Sequence, residues 1–231
     1  MNTVGIIGGI GPESTIEYYR AIIKSYREQK QDGSAPAIII NSIDMQRMLA
    51  LIEAGELGAT TELLVCEIKR LARGGADFGL LAAGTPHIVF NEVARLSPIP
   101  LISIVEATCA AAQSLGLKKL GLFGTRFTMQ GRFYADVFSQ AGIALVVPDE
   151  AEQEYIHDKY FGELVKGIVL PETRDGLLKI VSGLRELESI QGLILGGTEL
   201  SLILRDGMSS GIPFLDTTQI HARAAVLRLL S

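Results

Sequence analysis

Three stretches of this 231-residue chain occur twice, about 114 residues apart. VGIIGGIGP at Val4 is answered by LGLFGTRFT at Leu120, LLAAGTPH at Leu80 by LILGGTEL at Leu193, and IPLISIVEAT at Ile99 by IPFLDTTQIH at Ile212. A spacing this long, used once, marks a duplicated domain, because solenoid repeats recur at roughly 20–50 residues. Within each copy, short apolar runs alternate with longer stretches of helical periodicity, the pattern of a parallel sheet covered by helices. The expected fold is therefore α/β: two similar α/β domains with parallel sheets, related by pseudo-twofold duplication, with a ligand cleft between them. Residues 1–98 together with 212–231 are expected to form the first domain, and residues 99–211 the second.

Strands are predicted over 4–8, 37–43, 78–82, 101–104, 120–124, 144–147, 192–195 and 213–215. Helices are predicted over 16–29, 58–73, 88–96, 106–115, 130–140, 152–166, 175–189 and 219–230. A hydrophobic share of 48% lets a chain of this length bury a substantial core. The net charge of −5 comes with no basic tract, so no nucleic-acid partner is expected. No apolar run approaches the ~18 residues of a membrane span, and the start of the chain lacks the features of a signal peptide. A cytoplasmic protein with no membrane partner is expected. Cys66 and Cys109 have neither metal-type nor redox spacing and suit a packing role in a reducing compartment.

In open parallel sheets, ligands collect outside the carboxyl ends of the strands, so the segments after the paired strands are the candidate site. Gly9 and Gly11 follow the first strand, with Pro12 at a helix start and Ser14 and Thr15 beside it. The spacing is not G-x-G-x-x-G, and no G-K-[ST] follows, which removes the dinucleotide and triphosphate readings. What remains is either an anion cradle at a helix N-terminus or a tight turn that needs glycine for its backbone. In the second half, Thr125 and Thr128 bracket a helix start, where they either cap the helix or receive an anion. Arg47, in DMQRMLALI, offers a two-pronged contact to a carboxylate, or a solvated charge. Lys166 closes a predicted helix, where it is a candidate contact for the substrate or a partner of the helix dipole. The histidines His87, His157 and His221 are scattered with no metal-binding spacing, so no metal site is expected.

GIIGGIGPESTIEYY, the GTPH turn, GTRFTMQGRFY and LGGTEL, in this order over essentially the whole chain, resemble the aspartate/glutamate racemase family. The resemblance implies two similar α/β domains, no cofactor, a homodimer, and a small acidic amino acid or dicarboxylate as substrate. In that family one cysteine after each motif strand flanks the substrate's α-carbon, one thiolate removing a proton and the opposite thiol returning one. The family's P-C-N-T-A-H puts Ala83 at the first cysteine position, with Gly84, Thr85 and His87 beside it. Its G-C-T-E puts Gly197 at the second, with Thr198 and Glu199 retained.

With neither thiol present, Glu199 ranks first as a proton carrier, since burial beside a ligand carboxylate raises a carboxyl pKa towards neutrality. His87 ranks second, as an imidazole titrating in the useful range or as a hydrogen-bonding neighbour. Thr85 and Thr198 suit carboxylate or oxyanion binding and are poor bases. Three functions stay open: a cofactor-independent racemase with unconventional proton carriers, another proton-transfer reaction such as decarboxylation or elimination, and a binding protein that has lost its catalysts.

Overall fold

The computed structural model describes residues 2–204 and 211–231. The chain divides into two compact units, Met1–Ile104 with His221–Ser231, and Val105–Ile220. Unit 1 runs β1 (Thr3–Gly8), α1 (Pro12–Lys30), β2 (Ala37–Ser42), α2 (Met45–Glu53), α3 (Leu57–Arg73), β3 (Phe78–Leu81), a 3₁₀ turn (Thr85–Val89), α4 (Phe90–Leu96), β4 (Leu101–Ile102) and the first residue of α5 (Ile104–Ser114). Unit 2 takes the rest of α5, then β5 (Lys119–Phe123), α6 (Arg126–Gln130), α7 (Arg132–Gln140), β6 (Ala144–Val146), α8 (Glu150–Gly162), a 3₁₀ turn (Leu164–Lys166), α9 (Pro171–Glu188), β7 (Gly192–Leu195), α10 (Leu200–Ile203) and β8 (Phe214–Asp216). The last helix, α11 (Thr217–Leu230), begins in unit 2 and ends in unit 1.

Each unit holds one four-stranded sheet, ordered β2-β1-β3-β4 and β6-β5-β7-β8, with every pairing parallel. The two orders are the same when counted from each unit's first strand, so the echo in the sequence is an echo in topology. The units divide at Ile104 and Ile220, later than the expected 98 and 211. The physical reason is strand pairing: β4 hydrogen-bonds to β3 and completes the first sheet, while β8 hydrogen-bonds to β7 and completes the second.

Side chains of a strand alternate between faces, so Val4 and Ile6 of β1 share one face. That face packs with Phe78, Leu80 and Ala82 against Tyr18, Ile22 and Tyr26 of α1 and Ala222, Val226 and Leu229 of α11. On the opposite face Gly5 lies directly under Leu71 of α3 and Ala76, with no room for a Cβ. In unit 2 Phe123, Leu193 and Leu195 pack against Ile156 and Tyr160 of α8 and Leu177, Val181 and Leu184 of α9. Pro12 at the first turn starts α1 four residues earlier than predicted. A capping box between Asp149 and Glu152 starts α8 ahead of its predicted boundary. The helix predicted over 130–140 is interrupted at Gly131, whose extended backbone ends α6 and begins α7.

Candidate active site

In each sheet the chain runs from the second strand position outward to one edge and returns on the other side, so the switch points lie between β1 and β3 and between β5 and β7. Ligands bind at such points, outside the strand carboxyl ends. The segments there are Gly9–Gly11 and Ala82–His87 in unit 1, and Gly124–Thr128 and Gly196–Glu199 in unit 2.

At the first mouth, the Gly9 amide donates to Thr15 Oγ1 at 2.9 Å, and the Thr15 hydroxyl donates to the Gly11 carbonyl at 3.0 Å. Ser14 Oγ donates to the Ala82 carbonyl at 3.0 Å, tying α1 to the end of β3. Gly9 has φ +78°, and a Cβ there would stand 2.2 Å from the Ile43 carbonyl oxygen. Both the conformation and the space demand glycine. Gly9→Ala is therefore expected to destabilise the chain by at least about 2 kcal/mol, combining left-handed strain with displacement of the β2 end. Urea unfolding reads this directly.

His87 is 2% exposed and stacks on Phe90 at 4.8 Å between ring centroids. Its Nδ1 lies 3.1 Å from the Ala83 carbonyl, which can only accept, and its Nε2 accepts from the Ile104 amide at 3.2 Å. These partners fix the neutral ring with its proton on Nδ1. Burial, with the neighbouring His221 adding to it, pushes the imidazole down to about 3. His221 is held in the same way, accepting from the Tyr18 hydroxyl at 2.8 Å and donating to the Ile102 carbonyl at 2.9 Å, and burial pushes it down to about 4. Both rings are engaged with the backbone or with Tyr18, which suits joints of the fold. Gly84 opens the 3₁₀ turn, its carbonyl accepting from the His87 amide at 3.0 Å, and Thr85 is buried beside it.

At the second mouth, Thr125 caps α6 by accepting from the Thr128 amide, and the two hydroxyls lie 3.2 Å apart. Thr128 is fully buried and packs on Gly124 and Gly196, which brings the threonine pair against the end of β7. Glu199 is 1% exposed. Its Oε2 accepts from the Thr198 hydroxyl at 2.8 Å and from the Tyr160 hydroxyl of α8. Burial first, and then the Glu199 carboxylate, push the Tyr160 phenol well above its ordinary range. Tyr160 is the residue that sequence reasoning missed. Its Ile156–Tyr160 spacing is that of an ordinary buried helix face, and its partner lies 39 residues away.

The two charged residues proposed as contacts, Arg47 and Lys166, are both exposed. Arg47 is exposed on α2 and lines cavities of about 630 and 220 Å³ with Glu67 and Arg70, the smaller one reaching Ser42, Ile43 and Asp44 at the end of β2. Lys166 is exposed on the 3₁₀ turn beside α10, and among the described residues no hydrogen bond ties its side chain to a strand mouth. Ala83 and Gly197 stand at the two strand ends without functional side chains, next to Thr85 and Thr198. Among the described residues, no group of three or more His, Cys, Asp or Glu gathers as a metal site, and no helix is long and apolar enough to cross a membrane.

Two four-stranded parallel sheets of one topology, each ending in a polar switch-point segment, define the class, a duplicated α/β protein. The family model for Asp/Glu/Hydantoin racemase matches residues 7–225, and the chain belongs to that family. It is similar to the broad specificity amino-acid racemase RacX of Bacillus subtilis (strain 168), at 24% identity over 99% of this chain and 98% of that one. The fold matches the crystal structure of a candidate Asp/Glu racemase from Yersinia pestis, at 32% identity and a TM-score of 0.90 over the whole of both chains. It also matches an aspartate racemase homologue from Pyrococcus horikoshii OT3, at 33% identity and a TM-score of 0.86 over the whole of both chains.

Proposed function

We propose that this chain binds a small acidic amino acid or dicarboxylate and moves the proton on its α-carbon through a single carboxylate, Glu199, without a cofactor. The observation that carries the reading is Glu199 itself, buried at the end of β7 and held there by two hydroxyl donors. In the same unit, the Thr125 and Thr128 hydroxyls at the opening of α6 are of the kind that carboxylates accept from. In the reaction, Glu199 takes the Cα proton, the electron pair of the broken C–H bond spreads into the substrate carboxylate, and the same carboxyl returns a proton to Cα. His87 is a joint of the fold on this reading, because its two nitrogens are already engaged. The family resemblance extends the reading to a cytoplasmic homodimer, which sedimentation of the full chain tests for its oligomeric part.

One carboxyl reaches one face of Cα. Proton NMR in D₂O, with a panel of amino acids and dicarboxylates, is therefore expected to show loss of the Cα proton signal faster than inversion of configuration. A ligand that raises the thermal midpoint yet exchanges no Cα proton would leave a binding protein and overturn the catalytic part.

A further inference from the structure

We infer that Tyr160 is a positioning residue for Glu199: its ring fills the space that a side chain at Gly197 would take, and its hydroxyl holds the carboxylate at the end of β7. The inference deepens the proposed function and rests on Glu199 as the proton carrier.

The buried stripe of α8 is Gln153, Ile156 and Tyr160, which points the tyrosine into the core of unit 2 under the Gly196–Glu199 segment. A Cβ built on Gly197 would lie 2.4 Å from Tyr160 Cε2, 3.1 Å from Cζ and 3.2 Å from Cδ2, all on one edge of the ring. Gly197 is absent from the glycines with positive φ, so the ring, and not the backbone conformation, excludes a side chain there. The same ring ends in the hydroxyl that donates to Glu199. Residues 160, 197 and 199 thus form one packed unit in which absence of a side chain at one position admits the hydrogen bond at another. Because burial and the adjacent carboxylate keep the phenol protonated, it remains a donor across the pH range in which a carboxyl titrates. Two donors on one carboxylate oxygen favour the charged form, so removing one makes the group easier to protonate.

The test uses the full chain labelled with ¹³C at glutamate Cδ, with the Glu199 resonance identified by its loss in Glu199→Gln. Tyr160→Phe keeps the ring and removes only the hydroxyl. It is expected to raise the Glu199 titration midpoint by about one pH unit. Turnover in Cα exchange should fall about tenfold with KM nearly unchanged, and the acid limb of the rate profile should move up with the midpoint. An unmoved midpoint in Tyr160→Phe overturns the inference. If the natural chain exchanges no Cα proton, the proposed function falls, while the titration still reads the Tyr160–Glu199 contact in the free protein. The packing half has its own readout. Gly197→Ala is expected to lower stability in the natural background and to cost distinctly less in Tyr160→Ala, where the ring is gone. Equal costs in the two backgrounds overturn it.

Discussion

Glu199→Gln is expected to lower the rate of proton exchange at the substrate's Cα by a factor on the order of 10²–10⁴, with little change in KM. Glutamine is close in shape to the carboxyl that it replaces, and its side-chain oxygen can still accept from Tyr160 and Thr198, so the mouth of β7 keeps its packing. What is lost is the ability to hold a proton taken from carbon. A loss confined to turnover marks an interaction used in the transition state, whereas a rise in KM alone would mark a binding contact. His87→Asn supplies the contrast. The ring that it removes is neutral and bonded to Ala83 and Ile104, so the expected effect falls on stability, and the acid limb of the exchange profile stays in place. If His87→Asn abolished exchange in a folded chain while Glu199→Gln left it intact, the assignment of the proton carrier would be reversed.

The topology was legible in the sequence because its signals are local and repeated. Buried strands read as short apolar runs whatever they pack on, and the doubled motifs fix which runs correspond; all eight predicted strands form, with boundaries shifted by no more than two residues. The boundaries between the units were less legible, since pairing of β4 with β3 and of β8 with β7 is a long-range event that no window of sequence contains. Residues at the mouths were found by their glycines and threonines, which carry turn and cap chemistry. Their hydrogen-bond partners were not. His87 looked like a titrating group, yet nothing near it in the sequence announces that the Ile104 amide takes its second nitrogen or that it is buried beside His221. Tyr160 looked like core and is core; its second duty, towards Glu199, depends on a missing side chain at position 197.

Those two buried histidines make the chain sensitive to acid in a calculable direction. An imidazole in the unfolded chain titrates near 6.5, whereas burial holds His221 near 4 and His87 near 3 in the folded one. Between these values the unfolded chain binds protons that the native chain refuses, so stability rises with pH across the window. The contribution is fully present above about pH 6.5 and is lost as pH falls towards 4 and then 3. Each histidine adds a slope of roughly 1 kcal/mol per pH unit, so several kcal/mol disappear by about pH 4, a large share of the ~5–15 kcal/mol of an ordinary domain. Urea midpoints measured from pH 7 to 4.5 should fall steadily, and in His87→Asn the slope should drop to about half. In the folded chain, neither imidazole resonance should titrate between pH 7 and 5; titration of both near 6.5 without unfolding would refute the account. Burial is the first cause, since neither ring can solvate a second proton, and each ring also gives up an acceptor. A proton on His87 Nε2 displaces the Ile104 amide, which can only donate, and so breaks the tie between the 3₁₀ turn and Ile104, while a proton on His221 Nδ1 ends its acceptance from the Tyr18 hydroxyl of α1.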